Sequence, residues 1–381
     1  MNALRRRDVD WLRILAMLTV FLFHCARFFN DEDWHVKNNQ LSEGFTFMVN
    51  FLVVFMMPLF FVLSGISSYY SLQRRTGKRF IWERFKRLFI PLAFGILVLI
   101  PPQVYIERVT HNQFNGSFIS FFPHYFEGMY AFGGNFAWMG LHLWYLEVLF
   151  VFSLLTAGLL VFMKKHNTSH PGGWLHRMFG HPFSLFLLIV PLFIMEVMAN
   201  LHPDTIGMRG FGGWSVLTYL VFFLLGYVVA TDDRFRGHLE KAWILSLALG
   251  IVLMGVRFIL IASGLSFPVT VISLLRSANA WCWLAAIMGA GSRYLRSDNR
   301  FFHWAGEAVL PFYILHQSVI VVTGYFIRNW LAGVVLKYLF LVSVSLILII
   351  LVYELLVKRV NLLRFLFGMK VRRPAGERPA V

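Results

Sequence analysis

Residues 10–24 read DWLRILAMLTVFLFH, and the apolar run they begin continues to about residue 29. Such a run has the length of a membrane-crossing helix. It carries an arginine near its start and a histidine well inside it. Arg13 and His24 are eleven residues apart, so at about 100° per residue they return to within roughly 20° of one face, about 16 Å apart along the axis. The arginine is then expected near one interface and the histidine near mid-depth, where an ionisable group is costly unless it faces a cavity or a partner. That makes their shared stripe a candidate site. Asp10, one turn before Arg13, is placed to pair with it. Each residue also has a plainer explanation: His24 as a structural histidine hydrogen-bonded between helices, Arg13 as an interfacial arginine that snorkels to headgroups.

The rest of the chain has the same apolar character. Of 381 residues, 58% are hydrophobic and only 14% charged, and the mean hydropathy is +0.65. These values exclude an ordinary soluble domain and indicate an all-α polytopic membrane protein. A net charge of +16 would suggest nucleic acid in a soluble chain. Here the basic residues fall in short clusters between apolar runs, so they are topology signals and no nucleic-acid partner is expected. Cys25 and Cys282 both lie inside apolar runs, which makes a disulfide framework or a cysteine metal site improbable. Arg5 to Arg7 ahead of the first run resemble the start of a signal peptide, but ARFFNDEDW follows the run instead of a small-residue cleavage site, so it is the first span.

Runs of about 17 or more apolar residues give ten predicted spans, near 11 to 29, 45 to 72, 88 to 106, 142 to 163, 183 to 200, 214 to 230, 243 to 262, 268 to 290, 308 to 327 and 332 to 356. Alternate connections carry the basic clusters: Arg74 to Arg87, then Lys164, Lys165 and Arg177, then Arg234 to Lys241, then Arg293 to Arg300. The other connections are acidic or neutral, holding Asp31, Glu32, Asp33, Glu43, Glu107, Glu127 and Asp204. Both termini are therefore expected in the cytoplasm. Residues 1–358 are expected to form one transmembrane bundle and 359–381 a basic tail, disordered at its end. The outer segment before span four, rich in aromatics and glycine, is expected to be an interfacial loop or lid.

Several short stretches carry polar groups into these spans. MMPLFFVLSGI in span two holds Pro58, expected to kink the helix, and Ser64 with Gly65, which suit either a helix-packing notch or a ligand contact. FIWERFKRLFIP places Arg84 and Arg87 three residues apart ahead of Pro91, a forked cationic patch suited to phosphate or an ordinary topology signal. HLWYLE places His142, Trp144 and Glu147 at the start of span four, and an intramembrane carboxylate there calls for a partner. LPFYILHQ places His316 and Gln317 in span nine at a depth broadly comparable to that of His24. No spacing suggests a metal site.

In order along the chain, DWLR with His24, FFVLSG, RFKRLFIP, HLWYL and FYILHQ make this sequence resemble the acyltransferase-3 family of membrane O-acyltransferases over nearly its whole length. WHVKN at 34–38 and PPQVY at 101–105 resemble a branch whose members succinylate periplasmic glucans. The resemblance implies an inner-membrane enzyme that takes an acetyl or succinyl group from cytoplasmic acyl-CoA and places it on a hydroxyl of an extracytoplasmic glycan. A hydroxyl acceptor needs a base, and His24 is the candidate, with His316 and Glu147 as further catalytic candidates, although no family role carries over to Glu147. Arg13, Arg84, Arg87, Ser64 and Gly65 are the candidates for the donor, acyl-CoA, which is a substrate and not a resident cofactor. His35, His142, Trp144, Asn135 and Gln317 are the candidates for the acceptor. One departure is that many members carry a glutamate five residues after the tryptophan of span four, where this chain has Leu149. The competing reading is a proton-coupled transporter or flippase of an anionic solute, with His24, His316 and Glu147 as a relay. Broken helices in paired inverted repeats would favour it, and none is evident in the sequence.

Overall fold

A computed structural model of the chain describes residues 6–165, 180, 181 and 183–372. Arg5, Arg177, Arg373 and the tail from Pro374, all used above, lie outside the described residues. Ten apolar helices follow one another: α1 (Arg7–Arg27), α2 (Glu43–Gln73), α3 (Gly77–Thr110), α4 (Leu141–Lys165), α5 (Ser184–Leu201), α6 (Val216–Val229), α7 (Asp233–Ser263), α8 (Val269–Tyr294), α9 (Arg300–Ile327) and α10 (Val334–Val357). They match the ten expected spans one for one. Nine are long and apolar enough to cross a membrane, and α6 is shorter, at 14 residues. Among the described residues the only strand-like features are two isolated bridges, Met129 with Phe136 and Phe211 with Trp214. The fold is an all-α polytopic bundle.

Prolines shape the helices where the backbone can absorb them. α2 is helical over Glu43–Leu52 and again over Met56–Gln73. Pro58 cannot donate to the carbonyl four residues back, so the expected kink takes the form of a break at 53–55. Within the break the Val53 carbonyl accepts from Trp214 Nε1 at 3.2 Å. In α3 two wide π turns, Phe85–Phe89 and Gly95–Leu99, lie just before Pro91 and Pro101. Each accommodates the donor that its proline lacks. The short connection SGLSF joins α7 to α8, with Gly264 in the left-handed region (φ +63°) ending α7.

The chain divides into two compact units. Unit 1 comprises residues 1–20, 50–81 and 151–306. Its centre is the crossing of α2 and α6, where a Cβ on Gly65 would lie 2.0 Å from the Phe223 carbonyl oxygen and one on Gly226 would lie 2.1 Å from that of Val62. Only glycine at both positions lets the backbones approach so closely. Unit 2 comprises residues 21–49, 82–150 and 307–381. Its described tail does not dangle: the short helix Asn361–Leu366 carries Arg364, which is buried and donates to Glu307 Oε1 at 2.8 Å and to the Lys358 and Lys370 carbonyls.

A candidate active site of histidines

Unit 2 gathers three histidines from three helices. His24 Nδ1 of α1 lies 3.2 Å from His316 Nε2 of α9, and the ring of His142, from the start of α4, meets the His316 ring edge-on at 5.0 Å. His142 and His316 are buried. His316 Nδ1 lies 2.6 Å from the Tyr313 carbonyl oxygen. A carbonyl can only accept, so Nδ1 carries the proton and Nε2 of the neutral ring keeps its lone pair. His24 Nδ1 must then donate to it, which leaves the lone pair of His24 on Nε2. His142 Nε2 is anchored the same way on the Ile314 carbonyl at 3.2 Å, and its buried Nδ1 has no protein partner.

A second polar row runs beside these rings. His35, in the connection between α1 and α2, pairs through Nδ1 with Glu107 near the end of α3. Its Nε2 is 3.0 Å from Gln317 Nε2. The carboxylate fixes the proton on Nδ1, so Gln317 donates to His35. The other Gln317 hydrogen goes to Gln103 Oε1 at 3.0 Å, Gln103 donates to Ser318 Oγ at 2.7 Å, and Ser318 donates to the Leu99 carbonyl at 2.8 Å. Every polar hydrogen in the row has an assigned acceptor, and His35 has spent its lone pair. Trp34 bridges the two groups, with ring centroids 6.4 Å from His24 and 5.6 Å from His35.

The segment between α3 and α4 folds against Glu107. Tyr130 donates to both Glu107 oxygens at 2.7 and 2.8 Å. Burial and the adjacent carboxylate push the Tyr130 phenol far up, so it stays a donor. Arg108 donates to Asn135 Oδ1 at 2.8 Å and to the Gly134 carbonyl at 2.7 Å, so Asn135 holds this segment together. The short helix Phe118–His124, capped by Ser117, leaves Ile119 and Phe122 exposed, as does Phe132 beyond it. That is the aromatic surface expected of an interfacial segment.

The remaining candidates lie in other settings. Glu147 is half-buried and makes no hydrogen bond or ion pair with the described residues, so the partner expected for it is not there. Trp144 is buried. Arg84 precedes the first π turn of α3, which spreads it and the exposed Arg87 further apart in angle than an α-helix would. In unit 1, Arg13 pairs with Asp10 at 3.2 Å, as expected, and also donates to Ser67 Oγ and towards the Leu63 carbonyl. Gly65 serves the α2–α6 crossing, the packing alternative, and Ser64 is buried on the same helix with its carbonyl accepting from Ser68. Among the described residues no group of three His, Cys, Asp or Glu side chains could hold a metal ion.

Buried imidazoles aligned by backbone carbonyls, in an all-helical membrane bundle, suit proton transfer to and from a substrate. Comparison with known proteins gives that chemistry a family. Residues 6–354 match the acyltransferase-3 family model, described as an acyltransferase domain. The chain belongs to this family. It is a membrane acyltransferase. It is 26% identical to "Glucans biosynthesis protein C" of Salmonella schwarzengrund (strain CVM19633) and 25% identical to the protein of that name in Salmonella heidelberg (strain SL476), each over 96% of this chain and 95% of the relative. No solved structure matches.

Sequence reasoning groups His24 with His316 and Gln317 by depth, and names His142 and His35 without joining them to that group. It missed Glu107 as a site residue, counting it only as an acidic topology signal, and it missed Gln103, Trp34, Tyr130 and Ser318. PPQVY and WHVKN carried two of these five, Gln103 and Trp34, but nothing in their spacing joins residue 35 to residue 107.

Proposed function

We propose that this acyltransferase moves an acetyl or succinyl group from cytoplasmic acyl-CoA to a hydroxyl of an extracytoplasmic glucan, with His24 as general base. The observation that carries the proposal is the alignment of His316 on the Tyr313 carbonyl and of His24 on His316, which makes Nε2 the basic nitrogen of the His24 ring. The hydroxyl oxygen attacks the thioester carbonyl while Nε2 takes its proton, and the resulting imidazolium keeps its Nδ1 hydrogen bond to His316. Collapse of the tetrahedral adduct breaks the carbon–sulfur bond. The departing CoA thiolate takes the proton back, so the ring ends neutral. His35 is the weaker base because its lone pair already accepts from Gln317. Glu147 stands apart from both rows and is assigned no step. His142, whose Nδ1 is a buried acceptor without a protein partner, is assigned to receive a hydroxyl of the acceptor.

The CoA phosphates are assigned to Arg84 and Arg87, on the expected cytoplasmic side of α3, where guanidinium forks suit phosphate. Arg13, held by Asp10 and Ser67, fixes its own helix. The glucan acceptor is supported by the names of the relatives, and the inner membrane with both termini cytoplasmic by the distribution of basic connections. The test is to supply radiolabelled acetyl-CoA and succinyl-CoA to inverted membrane vesicles containing the protein. The expected product is labelled glucan inside the vesicles, made by the wild type and not by His24→Gln. Label that never reaches a hydroxyl acceptor, or reaches it equally with His24→Gln, overturns the proposal.

A further inference from the structure

At one end of unit 1 two arginines pair with one carboxylate, and a third arginine lies near one of them. Glu196, fully buried near the end of α5, accepts from Arg209 Nη2 at 2.9 Å and from Thr218 Oγ1 at 2.8 Å, and Arg276 Nε of α8 lies 3.2 Å away. Arg209 donates in addition to Asn200 Oδ1 at 3.0 Å. Arg276 donates to the Gly213 carbonyl and stacks 4.2 Å above the Trp214 ring, yet its buried Nε lacks an aligned hydrogen-bond acceptor. Arg257 of α7 lies within Coulombic reach of Arg276, makes a long contact, 3.5 Å, with the Asn50 carbonyl and sits over the Phe258 ring at 5.6 Å. Three positive charges thus face one negative charge, a formal surplus of two in a partly buried setting.

A surplus of that kind is costly unless an anion completes it. It cannot be dismissed as a topology signal. α6 begins at this end and finishes beside Ala230, which lines a small cavity with Arg6, Asp8 and Arg236 at the amino-terminal end of the unit. The cluster is therefore at the opposite end, where the connections of this chain are otherwise poor in Lys and Arg. Guanidinium forks favour planar or tetrahedral oxyanions, and phosphate has both the oxygens to meet several forks and the charge to match the surplus. Leu201 and Met208, next in sequence to Asn200 and Arg209, and Ile259 and Ile261, close in sequence to Arg257, are exposed and apolar, as the acyl chains of a lipid would require.

We propose that Arg209, Arg257 and Arg276 bind a phosphate ester, either an anionic lipid headgroup or a soluble phosphate compound. The site does not depend on the acyl-transfer reading. It is tested with the full-length protein in an uncharged detergent, titrated separately with phosphatidylglycerol, glycerol phosphate and diacylglycerol, following thermal unfolding and native mass spectrometry. Phosphatidylglycerol should bind and raise the unfolding temperature, and diacylglycerol should do neither. Arg257→Gln, which gives up one long hydrogen bond and the contact with the Phe258 ring, should still fold and bind about tenfold more weakly or worse, the usual value of a charge-assisted hydrogen bond. Glu196→Gln should bind the same ligand more tightly, because it removes the competing carboxylate. Matching effects from glycerol phosphate would assign the site to soluble esters, and their absence would assign it to lipid. If no phosphate ligand binds, or if Arg257→Gln binds as well as the wild type, the site does not exist.

Discussion

His24 can be replaced in a way that separates chemistry from packing. His24→Gln preserves size and hydrogen bonding but cannot accept the proton, so turnover should fall by about two to four orders of magnitude with acyl-CoA binding retained. Transfer near the wild-type rate would rule out His24 as the base. His316→Gln gives a milder expectation, since an amide oxygen can still accept from His24 Nδ1: steady-state kinetics should show a reduced kcat with an unchanged donor KM. Loss of turnover in the His316 variant only would move the base to α9. These two histidines were legible because buried ionisable residues in spans are rare, and comparable depth could be counted from the span boundaries. Glu107 was not legible. Its partner His35 is remote in sequence and on a connection whose path no periodicity predicts, and a carboxylate near a helix end looks the same whether it faces solvent or an imidazole.

At the level of elements, the connection from α1 to α2 is held by its own lysine. Lys37 Nζ donates to the Arg27, Asn30 and Glu32 carbonyls, and Lys337 of α10, itself buried, donates to Asn38 and Asn39 in the same connection. Burial, then the neighbouring Arg27 charge, push the Lys37 ammonium down to about 8. An unfolded lysine titrates near 10.4, so between these values the folded protein holds fewer protons than the unfolded one and its stability rises with pH. Melting curves of wild type and Lys37→Met across that range should therefore diverge, the wild type gaining on the variant as pH increases from 8. Parallel curves would mean that Lys37 titrates normally. The next connection gives a functional expectation. Tyr130→Phe removes both phenol bonds to the Glu107 carboxylate, so hydrogen exchange in residues 111–140 should quicken and the acceptor KM rise more than the donor KM. The sequence showed this segment to be aromatic and interfacial. It could not show that a single phenol ties it to the polar row, because the contact depends on where two connections meet.

Across the whole molecule, the ten-helix order was legible from apolar run length alone, the one property a bilayer imposes on every span. The π turns and the break in α2 were visible only as prolines. Topology makes a direct prediction: a reporter active only in the cytoplasm should work when fused after Val381 and fail when inserted at Asn112, and the reverse pattern would mean a miscounted span. The paired glycines at 65 and 226 have a consequence for how such a protein can change. Each is a vacancy filled by the other helix's backbone, so neither position can enlarge first without collision, and α2 and α6 have to change together. A hybrid that takes one of these helices from a distant relative should fail to accumulate in the membrane wherever the donor has a larger residue at the matching position, and exchanging both together should restore it.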